Sequence, residues 1–379
     1  MKKITDLIDR PKCLLTGKDN MEALYTIKDL PVFMGCVETP PEEDLCADEE
    51  WQICPETGLI QLGRLLPLDI LYLNQHNDGI GKLWQDHYLA FAQFLAKFKP
   101  KNILEIGAGN DAIAKYFLDK NPETTWTAVE PHPQFIADPR VKIVTAWFHD
   151  KFKLDTTVDT VVHSHVLEHT YDPFAFIEHI STFLKPGDRH IFTFPNLLAM
   201  IQNKYTNGLN FEHTVFLTED ITDYVLTRSG FKILEKQYFG DGHSIFYATE
   251  KRGEVPVPPL PNKYAEYKRI FLDFIDYHRK IIDELNSRIE SSAEPIYLFG
   301  AHIFSQFLLS FGLKSAKIMG ILDNSLPKQG KRLYGTNFTV SSPEVLAGKG
   351  RINVILKAGS YNDEIKKQLL TINPDITVW

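Results

Sequence analysis

Between residues 101 and 250 the apolar positions change their period again and again. Short continuous runs, "NILEIGAG" (102–109), "TWTAVEP" (125–131), "VKIVTAW" (141–147), "VDTVVHSHV" (158–166) and "HIFTFPN" (190–196), read as buried strands. Between them, "DAIAKYFLDK" (111–120) and "FAFIEHISTFLKPGD" (174–188) have helical spacing, the second closed by Pro186-Gly187. This alternation predicts a parallel sheet covered by helices on both faces. Ahead of it, "KLWQDHYLAFAQFLAKFKP" (82–100) sets Trp84, His87 or Tyr88, Phe91, Phe94, Leu95 and Phe98 on one helical face, with Pro100 as the stop. Another helix is expected at 219–229. "EVPVPPLP" (254–261) is a proline-rich linker. Beyond it, residues 262–291 form a long amphipathic helix with a stripe of Tyr267, Ile270, Phe271, Phe274, Ile281, Ile282, Leu285 and Ile289. Strands at 295–301, 316–325 and 352–359 then belong to a second, smaller α/β unit. The first 70 residues show no such rhythm, and "VETPPEEDLCADEEW" (37–51), acidic and proline-bearing, reads as loop. The expected organisation is a small irregular N-terminal domain (1–70), an α/β domain (71–253) and a Rossmann-like C-terminal domain (262–379).

Composition narrows the class. The 379 residues are too many for one small core, and 44% hydrophobic with 24% charged residues suits a soluble globular protein. A net charge of −8 argues against a sequence-independent grip on nucleic acid. The most apolar window, 296–313, is broken by His302, Ser305 and Gln306, so it reads as a strand and a helix rather than a membrane span. "MKKITDLIDR" puts charges where an export signal needs an apolar stretch, so a reducing cytoplasm is expected. All four cysteines, Cys13, Cys36, Cys46 and Cys54, fall in the first 54 residues, which raises the question of a metal.

The candidate chemistry starts at Glu105-Ile106-Gly107-Ala108-Gly109-Asn110, a glycine turn between a strand and a helix, where backbone can approach a ligand closely. The carboxylate ahead of the glycines would repel a pyrophosphate and suit a cation. S-adenosylmethionine (SAM), with its sulfonium and ammonium groups, is such a ligand, and the stretch resembles the first motif of the class I methyltransferases. In that resemblance Glu130, with Pro131 after it, stands where the family binds the ribose hydroxyls, and Ala146-Trp147 where it holds adenine. "HSHVLEHTYDP" (163–173) is similar to the family's fourth-strand segment, which makes His165 part of the cofactor wall. His163 and His165 should share one face of the strand, with His169 beyond a turn, and the resemblance accounts for them without a metal.

The flanks narrow the resemblance to the sugar C-methyltransferases, which join a zinc-binding domain, a class I core and a Rossmann-like tail. "PKCLLTGKD" (11–19) and "ICPETGLIQL" (53–62) resemble the two ends of the zinc-binding domain, and "YLFGA…LDNSLPKQGKRLYGT" (297–336) the tail. Thr16 and Thr57 stand where the family has the second cysteine of each pair, a poor ligand set that argues against zinc. The family's catalytic Y-H-E-H becomes Asn210-Phe211-Glu212-His213, His76 lies near the place of an upstream tyrosine, and the G-G-S-x-R segment becomes Gly242-His243-Ser244-Ile245-Phe246. The resemblance implies methylation of a carbon next to the keto group of a nucleotide-linked deoxysugar. His213 would be the base and Glu212 its helper, with Asn196, Asn210 and His243 on the substrate side. Glu212 can pair with His213 only if the segment is a loop or turn, because neighbours on a strand point to opposite faces. In the tail, Asp323 with the loop cations Lys328, Lys331 and Arg332 could hold a nucleotide or simply build the fold. An O-methyltransferase acting on a sugar or other small metabolite, and a non-catalytic protein retaining the cofactor fold, are the competing readings.

Overall fold

The structure is a computed structural model that describes residues 1–71, 81–133 and 138–379. His76 therefore lies outside the described residues.

At the centre is a seven-stranded sheet: β1 (Asn102–Ile106), β2 (Thr125–Val129), β3 (Val141–Val144), β4 (Thr160–Ser164), β5 (Arg189–Pro195), β6 (Phe231–Phe239) and β7 (Ser244–Lys251). Its order is β3-β2-β1-β4-β5-β7-β6. The first five are parallel, and β7 runs antiparallel to both β5 and β6. The α/β class expected from the alternating pattern is therefore the class found. The β6–β7 hairpin, which the reading of parallel strands did not include, completes the sheet. Period-2 alternation assigns the two faces. Ile103, Val162, Ile191 and Phe246 point to one core, with Phe91 and Phe94 of α1 (Lys82–Ala96) and Phe117 of α2 (Ala112–Leu118). Leu104, Val161, Phe192 and Tyr247 point to the other, with Ile177 and Ile180 of α3 (Pro173–Phe183) and Ile221 and Val225 of α5 (Glu219–Arg228); a short helix, α4 (Leu197–Gln202), adds Met200 and Ile201. Both His87 and Tyr88 are buried, so the stripe of α1 is wider than either alternative alone.

The N-terminal region is not irregular, as its composition had suggested. Glu22–Pro31 pairs antiparallel with Leu45–Ile53, which also pairs with Lys2–Lys3 and Ile60–Leu62. "LCADEEWQI" is a strand despite its acids because alternate residues are buried, including Glu49 and Trp51. The Trp51 indole donates to Glu49 Oε2 at 3.0 Å, and burial pushes the Glu49 carboxyl up to about 8, so it is buried as the neutral acid.

Helix α6 (Tyr264–Ser291) joins the pieces. Its first half (Tyr267, Phe271, Phe274) enters the core that also holds Trp51 and Phe194. Its second half (Ile282, Leu285, Ile289) packs on the C-terminal sheet. That sheet has five parallel strands, β8 (Ile296–Phe299), β9 (Ile318–Leu322), β10 (Val340–Ser341), β11 (Ile352–Leu356) and β12 (Ile376–Val378), in the order β10-β9-β8-β11-β12. It is Rossmann-like, as expected, with α7 (Ile303–Ser310) and α8 (Asn362–Ile372) beside it. Arg332–Leu333 pairs with Cys36–Val37 of the N-terminal region. Among the described residues no helix is long and apolar enough to cross a membrane.

Candidate active site

Strand order reverses between β1 and β4, so the loops at their C-terminal ends form a crevice where open α/β sheets take ligands. Gly107 has φ +70, and a Cβ there would stand 2.6 Å from Val166 Cγ2, so only glycine allows this turn. Its N–H donates to Val129 O at 2.9 Å, and the Gly109 N–H donates to Gly107 O at 3.0 Å across the buried Ala108. Asn110 Oδ1 accepts from the Ala112 N–H at 2.9 Å while its amide donates to the Tyr88 hydroxyl at 3.1 Å, tying the turn to α1. Glu105 is 3% exposed and accepts from the Trp126 indole at 2.8 Å. Burial, with Asp111 and Glu130 nearby, pushes its carboxyl up to about 7 against the indole's pull.

Glu130 follows β2 and accepts from the His132 N–H at 2.9 Å; burial raises its pKa. Pro131 continues the chain to His132. Trp147, three residues beyond β3, is 47% exposed and meets the His132 ring edge-on at 5.8 Å. The Glu130 carboxylate and the open Trp147 indole both lie against His132.

At the end of β4 the sequence expectation fails in one respect. His165 has φ +54, so its side chain does not share a face with His163. His163 is buried with its Nε2 3.0 Å from that of His190, in contact with Phe192. His165 turns instead toward α1, where its ring meets Trp84 at 4.9 Å and His87 at 5.0 Å. Ser244 Oγ lies 3.0 Å from His165 Nε2 and 2.6 Å from His243 Nδ1. His243 owes its place to the turn before β7, where a Cβ on Gly242 (φ +73) would stand 2.7 Å from Ala199 Cβ.

Glu168 links this group to the second one. Its carboxylate is 1% exposed and lies 3.1 Å from His165 Nδ1 and 3.9 Å from His169 Nε2. Burial opposes its charge, but the hydrogen bond from His165 and the neighbouring His169 and His213 together hold its pKa below the ordinary value. Glu212 was expected to help His213, but its Oε2 lies 3.2 Å from His169 Nδ1. His213 Nδ1 instead donates to Gly208 O at 3.1 Å, which leaves Nε2 as the lone-pair nitrogen. Burial pulls His169 down, but Glu212 and Glu168 outweigh it and its pKa is raised. Burial, then His169, hold His213 down at about 4, so it is neutral at physiological pH.

Two of the expected substrate contacts are positioning groups. Asn210 Oδ1 accepts from the N–H groups of Glu212 (2.9 Å) and His213 (3.0 Å), folding the segment into a turn rather than reaching outward. Asn196 Oδ1 caps α4 by accepting from the Ala199 N–H at 3.1 Å. Sequence reasoning missed His169 and Glu168 as members of this group. Their signal was present in "VLEH", but only the fold shows what they face. It also missed His87, which has no signal beyond its place on an apolar stripe.

Outside the crevice, Cys13 and Cys54 are buried free thiols in two tight turns, and burial raises the Cys13 pKa. The hydroxyl of Thr57 accepts from the Leu59 N–H and that of Thr16 from the Lys18 N–H. Cys36 faces Ala301 O of the C-terminal region, and Cys46 lies on another strand, so neither completes a set with Cys13 and Cys54. Two of the tail's candidate nucleotide contacts are engaged within the fold. Asp323 accepts from the Ala301 and Ser325 N–H groups, and Arg332 makes a two-pronged pair with Asp44 at 2.6 and 2.8 Å.

Residues 79–236 match a family described as "Methyltransferase domain". Solved structures of similar fold include the plantazolicin methyltransferase BpumL in complex with a monoazolic desmethylPZN analog and SAH (11% identity, 44% of this chain and 85% of that chain, TM-score 0.37). Another is an S-adenosylmethionine dependent methyltransferase from Mesorhizobium loti (13% identity, 42% and 96%, TM-score 0.35). A third is the Burkholderia thailandensis 1,6-didemethyltoxoflavin-N1-methyltransferase (15% identity, 46% and 92%, TM-score 0.32). No curated protein matches the chain.

Proposed function

The chain is a SAM-dependent methyltransferase, and from that premise we propose that it methylates a carbon next to the keto group of a nucleotide-linked deoxysugar. SAM would lie along Glu105, Gly107, Ala108, Gly109, Asn110, Glu130, Pro131, Trp147 and His165. The division into domains 1–70, 71–253 and 262–379 belongs to the same proposal. The observation that supports carbon as the acceptor is the group formed by Glu168, His169, Glu212 and His213 beside the crevice. Methylating carbon requires removal of a C–H proton, and the resulting enolate then attacks the sulfonium methyl in line, the electron pair of the S–CH₃ bond returning to sulfur. His213 presents an unprotonated Nε2 with its other nitrogen fixed by Gly208 O, and so accepts the proton. His169, its positive form favoured by Glu212 and Glu168, lies beside it as the group that moderates the enolate charge. In this reading Glu212 acts through His169 rather than by orienting His213.

The test is solvent exchange. Incubated in D₂O with SAH in place of SAM, a keto-sugar nucleotide is expected to take up deuterium next to the ketone. His213→Asn should keep SAH affinity and lose turnover by about 10²–10⁴-fold. Methyl transfer to an oxygen without any exchange would replace this reading with O-methylation. Tight SAH binding with no turnover on any acceptor would favour the non-catalytic alternative.

A further inference from the structure

Two groups of side chains around Glu168 each bring three possible metal-ligating atoms within 4.8 Å of one another: His87, His165 and His243, and Glu168, His169 and His213. In the second group Glu212 pairs with His169 at 3.2 Å, and Glu168 lies 3.1 Å from His165 of the first group. The first group differs in chemistry. It has three imidazoles and no carboxylate among the candidate ligands.

Three features of this first group go beyond proximity. His87 is 0% exposed, and its Nδ1 has no hydrogen-bond partner among the described residues. Such an orphan in the interior is costly. His165 Nε2 and His243 Nδ1 converge on one point, marked by the Ser244 hydroxyl. The hydroxyl can donate to one of them and accept from the N–H of the other. Glu168 lies against the other nitrogen of His165 at 3.1 Å, the carboxylate–histidine arrangement that orients metal-ligating imidazoles.

We propose that His87, His165 and His243 form a binding site for a divalent transition metal of the zinc class, with Glu168 orienting His165. Three imidazoles with one coordination position left over are the donor set of catalytic rather than structural zinc. His165, with 15% of its side chain exposed, lies at the C-terminal end of β4 in the crevice. An ion there would polarise an acceptor oxygen, across Glu168 from the proton-accepting His213. That role rests on the methyl-transfer reading above. Binding of the ion does not.

The full chain is stripped with a chelator, dialysed and titrated calorimetrically with Zn²⁺ alone. One ion per chain is expected, with affinity falling at least about tenfold in His165→Ala and in His243→Ala and about 10–100-fold in Glu168→Gln. Ser244→Ala removes the hydroxyl that competes for two of the nitrogens and should bind Zn²⁺ at least as tightly, which keeps the test decisive if a histidine variant misfolds. Co²⁺ should quench tryptophan fluorescence, less so in Trp84→Phe, because Trp84 lies about 5 Å from each imidazole (4.9 Å from His165, 5.2 Å from His243 and 5.5 Å from His87). Cys54→Ser and His213→Asn should leave the titration unchanged. Absence of uptake, uptake that survives His165→Ala and His243→Ala, or uptake lost in Cys54→Ser or His213→Asn would each overturn the site. SAH binding to the stripped chain is measured in parallel. SAH binding together with no zinc uptake in the titration overturns the metal site and leaves methyl transfer standing, and zinc uptake together with no SAH binding does the reverse.

Discussion

At the scale of single residues, Glu105 makes the clearest prediction. Its carboxyl titrates from 4.5 in the unfolded chain to about 7 in the folded one, because burial disfavours the charge. Between those values the folded chain holds more protons, so stability falls as pH rises through that window and the slope ends above about 7. Glu105→Gln should remove this slope in denaturant titrations. SAM presents a cation to the ionised form, so its affinity should rise about tenfold from about pH 6 to about pH 8, and calorimetry on Glu105→Gln should find neither the rise nor the high-pH affinity. A flat wild-type profile would mean that Glu105 does not meet the ligand's charge. Sequence identified this residue because an acid before a glycine turn is a local signal. Glu212 shows the opposite case. Its close ion pair is with His169, which lies 43 positions earlier in the chain.

At the scale of elements, the strands of the central sheet were legible because a short, continuous apolar run bounded by turn residues has both faces to bury, which a strand inside a covered sheet does. Asp172-Pro173 is a similarly local signal. Asp172 Oδ1 accepts from the N–H groups of Phe174 (3.1 Å) and Ala175 (2.9 Å), and Pro173 occupies the first helical position. Asp172→Ala should cost about 1 kcal/mol in urea unfolding, and because α3 follows His169 directly it should also loosen that histidine. An unchanged midpoint would show the cap to be redundant. The strand Leu45–Ile53 was illegible for a physical reason. Its acids read as solvent-facing, and only pairing with its three neighbours shows that Glu49 points inward beside Trp51. His165 was misassigned to a face because strand alternation fails at the first left-handed residue.

At the scale of the whole molecule, the N-terminal region builds part of the candidate active site. The Leu62 N–H donates to Thr214 O, and the Phe216 N–H to Ile60 O, so the chain just after Glu212-His213 is held by the N-terminal sheet. Arg10 adds hydrogen bonds to Leu62 O (2.8 Å), Tyr171 O (2.9 Å) and Thr214 O, spanning both histidine-bearing segments from behind. Burial lowers its pKa to about 10, so it stays charged. Arg10→Ala removes a donor from all three carbonyls, with Thr214 O keeping the Leu62 N–H, and a loss of about 1–3 kcal/mol is expected. Turnover should fall while SAH binding persists, because the glycine turn makes none of these contacts. Loss of stability with full turnover would confine Arg10 to a structural role.

The sequence by itself determined the α/β class, the cofactor turn and the order of the pieces. Each depends on residues within one strand, turn or helix, and local sterics and burial period decide such features wherever the rest of the chain goes. Only the tertiary structure decided which imidazole faces which carboxylate, that His87 meets His165 and His243, and that Arg10 supports a loop some 200 residues away. Those contacts join distant parts of the chain through strand register and helix packing, and no spacing along the chain encodes them.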